Sequence, residues 1–185
     1  MARLIYSTIA SLDGFIEDPD GRFDFAVPDA EMHAWLNERE RSVGTYLYGR
    51  RIYETMVYWE TRGHEPEHQQ VDRDFAEIWR AADKIVYSTT LDEVTTARTT
   101  LERRFDPEAV RALKESAERD LGIGGTGVAA AAFAAGLVDE FQIYFHPISV
   151  GGGKPALPLG QRLPLELVER HQFDSGVVYL RYRCR

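Results

Sequence analysis

Three short stretches of the sequence carry residues suited to gripping a phosphate. Gly122, Gly124 and Gly127 fall in the spacing G-x-G-x-x-G just ahead of the Ala-rich run 128–136. Glycine at such positions lets backbone N–H groups approach a pyrophosphate at the N-terminus of the following helix, where open donors and the helix dipole favour an anion. Gly49, Arg50 and Arg51 form the second stretch, and a guanidinium held at a strand end can pair bidentately with phosphate oxygens. Ser88, Thr89 and Thr90 are the third, hydroxyls and amides at the close of a strand-like run. Each has a plainer reading as a tight turn, a solvated helix start or a polar strand end. Their recurrence at three strand ends favours ligand binding, because that is where open α/β sheets hold ligands. A Rossmann site is rejected: it would put the glycine loop after the first strand and an acidic residue about 20 positions later at the end of the next strand. Here the loop is late, and Asp139 and Glu140 begin the strand that follows.

Other chemistries find little support. His64, Glu65, Pro66, Glu67 and His68 match H-E-x-x-H, but Pro66 disfavours the helix that would align the two histidines by about 3 kcal/mol, so no metal site is expected. Cys184 is the only cysteine, which excludes an intrachain disulfide and the thiolate cluster of a zinc deaminase. No G-x-S-x-G is present, so a serine nucleophile is not indicated. Hydride transfer needs fewer side chains, since the cofactor carries the reaction and the protein binds and orients it.

The elements that must position these residues follow from hydrophobic period and punctuation. Residues 3–10 read as a strand running into Asp13 and Gly14. Pro28 and Asp29 open a helix with Asp29 as its cap, Met32, Leu36 and Val43 as its apolar stripe and Gly44 as its end. A short strand, 45–48, feeds a helix over 52–59. Residues 61–74 read as an exposed loop, 75–82 as a helix and 84–87 as a strand. Asp106, Pro107 and Glu108 start a helix with Val110, Leu113, Ala117 and Leu121 on one face and Gly122 just past its end. The helix 128–136 and the strand 140–148 follow, and residues 165–173 and 177–184 pair as a hairpin across Asp174, Ser175 and Gly176. The fold class is therefore α/β: one domain over residues 1–185, with a mixed, mainly parallel sheet flanked by helices and a C-terminal antiparallel hairpin.

Composition sets the outer bounds. The chain has 185 residues, 44% of them hydrophobic and 28% charged, enough for a substantial core. Its net charge of −8 argues against nucleic acid or an anionic membrane as partner, since both require a cationic contact surface. The longest apolar run, 128–138, has eleven residues against about 20 for a membrane span, and the first residues are too short and polar a stretch for a signal peptide. A cytoplasmic protein is expected.

Taken in order, Ser11-Leu12-Asp13-Gly14-Phe15-Ile16, Tyr48-Gly49-Arg50-Arg51-Ile52-Tyr53-Glu54, Ile123-Gly124-Gly125, Gly136-Leu137-Val138-Asp139-Glu140, Pro147 and Gly151-Gly152-Gly153 make a set that resembles the dihydrofolate reductase-like domain of bacterial riboflavin-pathway reductases. The resemblance covers nearly the whole chain and implies NADPH lying across the strand ends. Gly49, Arg50 and Arg51 would hold phosphates, and Ser88 and Thr89 would lie by the adenosine 2′-phosphate. Ile123, Gly124, Gly125, Thr126, Gly127 and Val128 would clasp the pyrophosphate, and Ile9, Ala10, Asp13, Gly14 and Ile16 would flank the nicotinamide. The resemblance also implies a homodimer formed through the sheet edge and the C-terminal strands. It departs from the folate reductases in one respect: the acidic residue that holds their pterin on the first helix has only Asp29 and Glu31 as candidates here, and both sit at the helix start, where the plainer role is favourable charge for the dipole. Tyr53 and Trp59 are candidates for a substrate cleft, with core packing as their other reading. These features lead to the expectation of an NADPH-dependent reductase of a small, pteridine- or pyrimidine-like heterocycle. A non-catalytic NADPH-binding sensor or sequestering protein on the same fold is the alternative.

Overall fold

A computed structural model describes residues 1–61 and 69–185. In chain order the elements are β1 (Leu4–Ser11), β2 (Phe15–Glu17), α1 (Ala30–Glu40), β3 (Val43–Gly49), α2 (Arg50–Met56), α3 (Tyr58–Thr61), α4 (Gln70–Ala81), β4 (Asp83–Tyr87), β5 (Thr99–Glu102), α5 (Pro107–Ser116), β6 (Asp120–Gly124), α6 (Thr126–Ala134), β7 (Glu140–His146), β8 (Lys154–Pro155), β9 (Leu165–Gln172) and β10 (Val178–Cys184). Eight strands form one sheet in the order β5-β4-β3-β6-β1-β7-β10-β9, and β2 pairs with β8 beside it. The pairings from β5 to β7 are parallel, while β10 and β9 run antiparallel as a hairpin on the edge. The sheet is thus mixed and mainly parallel, as the sequence indicates. No helix among the described residues is long and apolar enough to cross a membrane.

Alternation along the strands divides the interior into two layers. Leu4, Tyr6 and Ala10 of β1, Leu121 and Ile123 of β6, and Phe141 and Ile143 of β7 face α5 and α6, where Val110, Ala129, Ala132 and Phe133 complete a continuous core. The opposite face meets α1 and α4. There Tyr46, Tyr48, Tyr53 and Trp79 form one cluster and Met32, Tyr144, Phe173 and Tyr179 another.

The connections explain several of the sequence motifs. Gly136 has φ +63° and follows α6; its N–H donates to Phe133 O at 3.0 Å, and Leu137 N–H donates to Ala132 O at 3.0 Å. That is a Schellman ending, which needs a left-handed residue and so favours glycine. Asp139 then fixes the start of β7, accepting from Leu4 N–H at 2.6 Å and pairing with the buried Lys114 at 2.6 Å, whose Nζ also donates to Leu137 O at 2.7 Å.

Element boundaries differ from the sequence expectation where a short strand adjoins a helix. The first helix stops at Glu40; Val43 and Gly44, read as its stripe and its end, belong to β3. Leu121 and Gly122 likewise lie in β6 and not on the helix over 107–116, so Gly122 caps nothing. In both cases an apolar residue at helical spacing belongs instead to a parallel strand buried on both faces, whose near-continuous hydrophobicity hides its period. α4 begins at Gln70, within the stretch read as loop, because Gln69 and Asp72 cap it reciprocally. β5, a polar edge strand, escaped the sequence reading altogether. The His64–His68 pattern lies outside the described residues.

Candidate functional site

The two glycine turns meet. β3 and β6 are neighbours, and each runs at its C-terminal end straight into a helix, α2 and α6. A Cβ on Gly49 would lie 3.2 Å from Val128 Cγ2, and one on Gly125, at φ +94°, would lie 3.6 Å from Gly49 N. At Gly125 the positive φ favours glycine, and at Gly49 a methyl group would crowd Val128. The first intrahelical bond of α6 is Ala129 N–H to Gly125 O at 3.0 Å, so the amides of Thr126, Gly127 and Val128 precede the ladder and have no partner within the helix. Arg50 pairs with Glu54 at 2.7 Å and donates to Thr90 Oγ1 at 2.9 Å, which draws the loop after β4 against the same turn. The three stretches singled out by their chemistry are therefore side by side. Within the third, the Ser88 hydroxyl accepts from Thr90 N–H at 3.2 Å and Leu91 N–H at 2.9 Å, and so shapes its own loop, whereas Thr89 is exposed.

From this corner a cavity of about 790 Å³ opens between the sheet and α1, α2 and α4. Ile9, Ile16, Arg51, Ile123, Gly124, Gly125 and Thr126 line it. At its mouth Arg51 reaches toward Glu17 of β2 at 3.5 Å. Ala10, Asp13, Gly14, Gly49, Arg50, Ser88, Thr89, Gly127 and Val128 are not among the lining residues. Ala10 faces the opposite layer. Asp13 accepts from Ser149 Oγ at 2.8 Å, Val150 N–H at 3.1 Å and Gly151 N–H at 2.7 Å, and so clamps the glycine loop 151–153 beside the mouth. Gly14, at φ +88°, turns the chain between β1 and β2 and accepts from Ala156 N–H at 2.9 Å.

The candidate acids and aromatics are placed elsewhere. Asp29 Oδ1 accepts from Met32 N–H at 2.8 Å as the N-cap of α1, and Glu31 accepts from Asp174 N–H at 3.2 Å; neither lines the cavity. Tyr53 is 2% exposed and accepts from Thr95 N–H at 2.8 Å, and Trp59 packs on Phe75 with ring centroids 4.9 Å apart. Both serve the core.

Reasoning from the sequence missed the tyrosines. A Cβ on Gly122 would fall 2.9 Å from the Tyr46 ring, and one on Gly124 would fall 2.9 Å from the Tyr48 ring. The two rings stack on each other with centroids 5.3 Å apart and planes 9° apart. The first two glycines of the G-x-G-x-x-G pattern thus make room for two tyrosines on the neighbouring strand. The signal was present as two glycines and two tyrosines, each pair spaced by two, on strands that pair in parallel.

Glu40, the last residue of α1, also lines the cavity and accepts from Tyr46 Oη at 2.9 Å. Burial pushes its carboxyl above the usual glutamate range, and burial likewise pushes the Tyr46 and Tyr48 hydroxyls well up. The sign for stability follows. With the folded value raised, the native state holds more protons than the unfolded chain between the ordinary glutamate value and the raised one, so stability falls as pH rises through that window. Glu40→Gln, which keeps an acceptor for Tyr46, is expected to flatten this slope. Urea midpoints for both proteins from pH 4 to pH 8 read it, and a difference that does not change with pH would place the carboxyl in a water-like setting.

Comparison with known proteins places this geometry in a family. The RibD C-terminal domain pattern matches residues 2–179. YyaP of Bacillus subtilis (strain 168), an uncharacterized protein, is 30% identical over 187 residues, covering 97% of this chain and 94% of its own. Among solved structures, a putative riboflavin biosynthesis protein from Shewanella sp. PV-4 superposes with a TM-score of 0.74 at 22% identity over 100% of this chain and 99% of its own. A pyrimidine reductase-like protein from Corynebacterium diphtheriae gives 0.70 at 13% identity, covering 100% and 92%. The Thermotoga maritima diaminohydroxyphosphoribosylaminopyrimidine deaminase/5-amino-6-(5-phosphoribosylamino)uracil reductase gives 0.65 at 15% identity over 100% of this chain and 57% of its own. The turn-to-turn corner and its cavity are therefore those of a chain that belongs to the RibD C-terminal domain family, a family of reductase domains.

Proposed function

We propose that the cavity is the site of an NADPH-dependent reductase that acts on a small pteridine- or pyrimidine-like heterocycle. The observation that carries this reading is the junction of the Gly49 and Gly125 turns, where the first amides of α6 lie beside Arg50 and Arg51 at the head of a cavity of about 790 Å³. The residues present fit such a dinucleotide. The α6 turn offers N–H donors to a pyrophosphate, Arg50 and the exposed Arg51 stand where the extra phosphate of NADPH needs a cation, and Ile9 and Ile16 give an apolar bed for a nicotinamide. Bound there, NADPH supplies the hydride. The chain itself grips phosphates, orients the ring against the sheet and keeps water from the inner cavity with its aromatic walls. In the same reading, exposed Leu167 and Val168 on the edge strand β9 support pairing of two copies along that edge.

Calorimetric titration with NADPH and, separately, NADH tests the site. NADPH is expected to bind the more tightly, and Arg50→Ala combined with Arg51→Ala to weaken it by about 10- to 100-fold, the worth of a charged hydrogen-bonded contact. Unchanged NADPH affinity in the double variant would remove the phosphate assignment. No binding of either nucleotide would remove the reductase reading.

A further inference from the structure

The loop after β4 is gripped from behind by one side chain. β5 pairs with β4 in parallel, matching Glu102 to Tyr87, and Ser88 N–H donates to Glu102 O at 2.9 Å. Arg103 therefore leaves the end of β5 alongside residues 88–92. Its guanidinium donates to three carbonyls of that loop, Leu91 O at 2.5 Å, Ser88 O at 3.4 Å and Asp92 O at 3.4 Å. None of its hydrogen bonds among the described residues goes to a carboxylate. A planar fork of five donors can gather several carbonyls in this way, and a lysine ammonium on its flexible stem is a poor substitute. Because a trans peptide points its N–H opposite to its C=O, carbonyls collected on Arg103 turn the Thr89 amide away from it. The next two amides, of Thr90 and Leu91, are taken by the Ser88 hydroxyl at 3.2 and 2.9 Å. On the other side of the loop Thr90 Oγ1 accepts from Arg50 Nη1 at 2.9 Å, and Arg50 is the first residue of α2 after the Gly49 turn. A continuous relay thus runs from Arg103 through the loop and Thr90 to Arg50.

We infer that Arg103 is a positioning residue for nucleotide choice: by gathering the carbonyls of residues 88–92 it fixes Thr90 against Arg50, and so holds the Arg50 guanidinium ready to distinguish NADPH from NADH. For the identity of the nucleotide this rests on the reductase reading; the relay itself does not. Arg50 is gripped at both ends, by Glu54 at 2.7 Å and by Thr90 at 2.9 Å. A long side chain held in this way has given up its rotamer freedom before a ligand arrives, which is preorganisation. Without Arg103 the loop loses its anchor, Thr90 drifts from Arg50, and carbonyl oxygens that repel an anion are free to turn toward the same corner. NADH lacks the extra phosphate and depends less on that guanidinium.

The test pairs calorimetric titration of the whole protein with NADPH and with NADH, and amide hydrogen–deuterium exchange of the nucleotide-free protein. Arg103→Gln is expected to weaken NADPH binding about 5-fold and NADH binding by under about 2-fold, and to speed exchange at Thr90 and Leu91 by about 5-fold or more. Arg103→Lys keeps the charge but not the fork and is expected to behave as Arg103→Gln does. Arg104→Gln, at the exposed neighbouring position, is expected to leave both affinities unchanged. Thr90→Val cuts the relay at its far end and is expected to weaken NADPH by a similar factor, with no further loss when combined with Arg103→Gln. Where the wild type prefers NADPH, an unchanged preference in Arg103→Gln, unchanged exchange at Thr90 and Leu91, full retention in Arg103→Lys, an equal effect of Arg104→Gln, or losses that add in the double variant each overturn the inference and leave the reductase reading standing. A wild type that binds both nucleotides alike overturns the inference as well. A wild type that binds neither removes the reductase reading and the inference with it. Should the Arg103 variants fail to fold, the nucleotide preference of Thr90→Val decides.

Discussion

Gly153→Ala is expected to destabilise the protein by about 3–5 kcal/mol, combining the strain of a left-handed backbone with an overlap that cannot be relieved by a rotamer change. Gly153 has φ +120°, and an added Cβ would lie 1.9 Å from Glu17 O and 2.8 Å from Asp18 C. Both obstacles are backbone, so β8 must separate from β2 for the methyl group to fit. That separation would also undo the mouth of the cavity, because Ile16 and Glu17 of β2 and Lys154 of β8 line it. The variant should therefore lose thermal stability by roughly 10 °C for a chain of this size and lose ligand affinity at temperatures where it is still folded. A melting temperature within a degree or two of wild type would show that the pair is not held as closely as described.

Trp79→Ala ranks second, at about 3–5 kcal/mol for truncating a large, fully buried aromatic. Trp79 is 0% exposed on α4 and packs in the cluster that contains Tyr46 and Tyr48. Its indole also shelters a cation: Lys84 Nζ lies 4.3 Å from the ring centroid and donates to Trp79 O at 3.1 Å. Removing the indole strips that buried ammonium of its aromatic cover, which adds to the cost of the empty volume. Phe75, one turn earlier on the same helix, walls the inner cavity, so substrate-side binding should weaken with stability while the Gly49 and Gly125 corner persists. Urea unfolding followed in parallel with nucleotide titration separates the two effects, and a loss below about 1 kcal/mol would mean that the site collapses onto the gap.

The parts of the site that were legible in the sequence are those made by backbone. Gly49, Gly125 and the hydroxyls after β4 announce turns at strand ends, because turn chemistry is local; that these strand ends are adjacent follows from the sheet order β4-β3-β6. The hairpin 165–184 and the Asp29 and Asp106 caps were readable for the same reason. What stayed hidden depends on register. Nothing local says that Tyr46 and Tyr48 lie over Gly122 and Gly124; that follows from the pairing of β3 with β6, which matches Tyr46 to Gly122 and Tyr48 to Gly124. Glu40 is inconspicuous in the sequence because a charged residue on a helix has an ordinary explanation as a solvated side chain, and only its hydrogen bond with Tyr46 shows that it is enclosed. The strand starts at Val43 and Asp120 were absorbed into preceding helices because their apolar residues happen to continue a helical stripe.

The clamp that Asp13 makes with residues 149–151 joins positions 136 to 138 apart in the chain, and β2 waits for β8 over a similar distance. The mouth is therefore assembled from the first and last thirds of the polypeptide, and the loop that must be closed to form it is about three quarters of the molecule. Such contacts form late, since chain entropy must be overcome before they return anything. During synthesis the glycine-turn corner of β3, β6 and α6 can be made while the C-terminal strands are still inside the ribosome, but the entrance cannot. A nascent chain passes through a stage in which the sheet edge beside β1 lies open and the cavity has no rim. In this architecture the corner where the two glycine turns meet precedes, in time, the rim that encloses the cavity beside it.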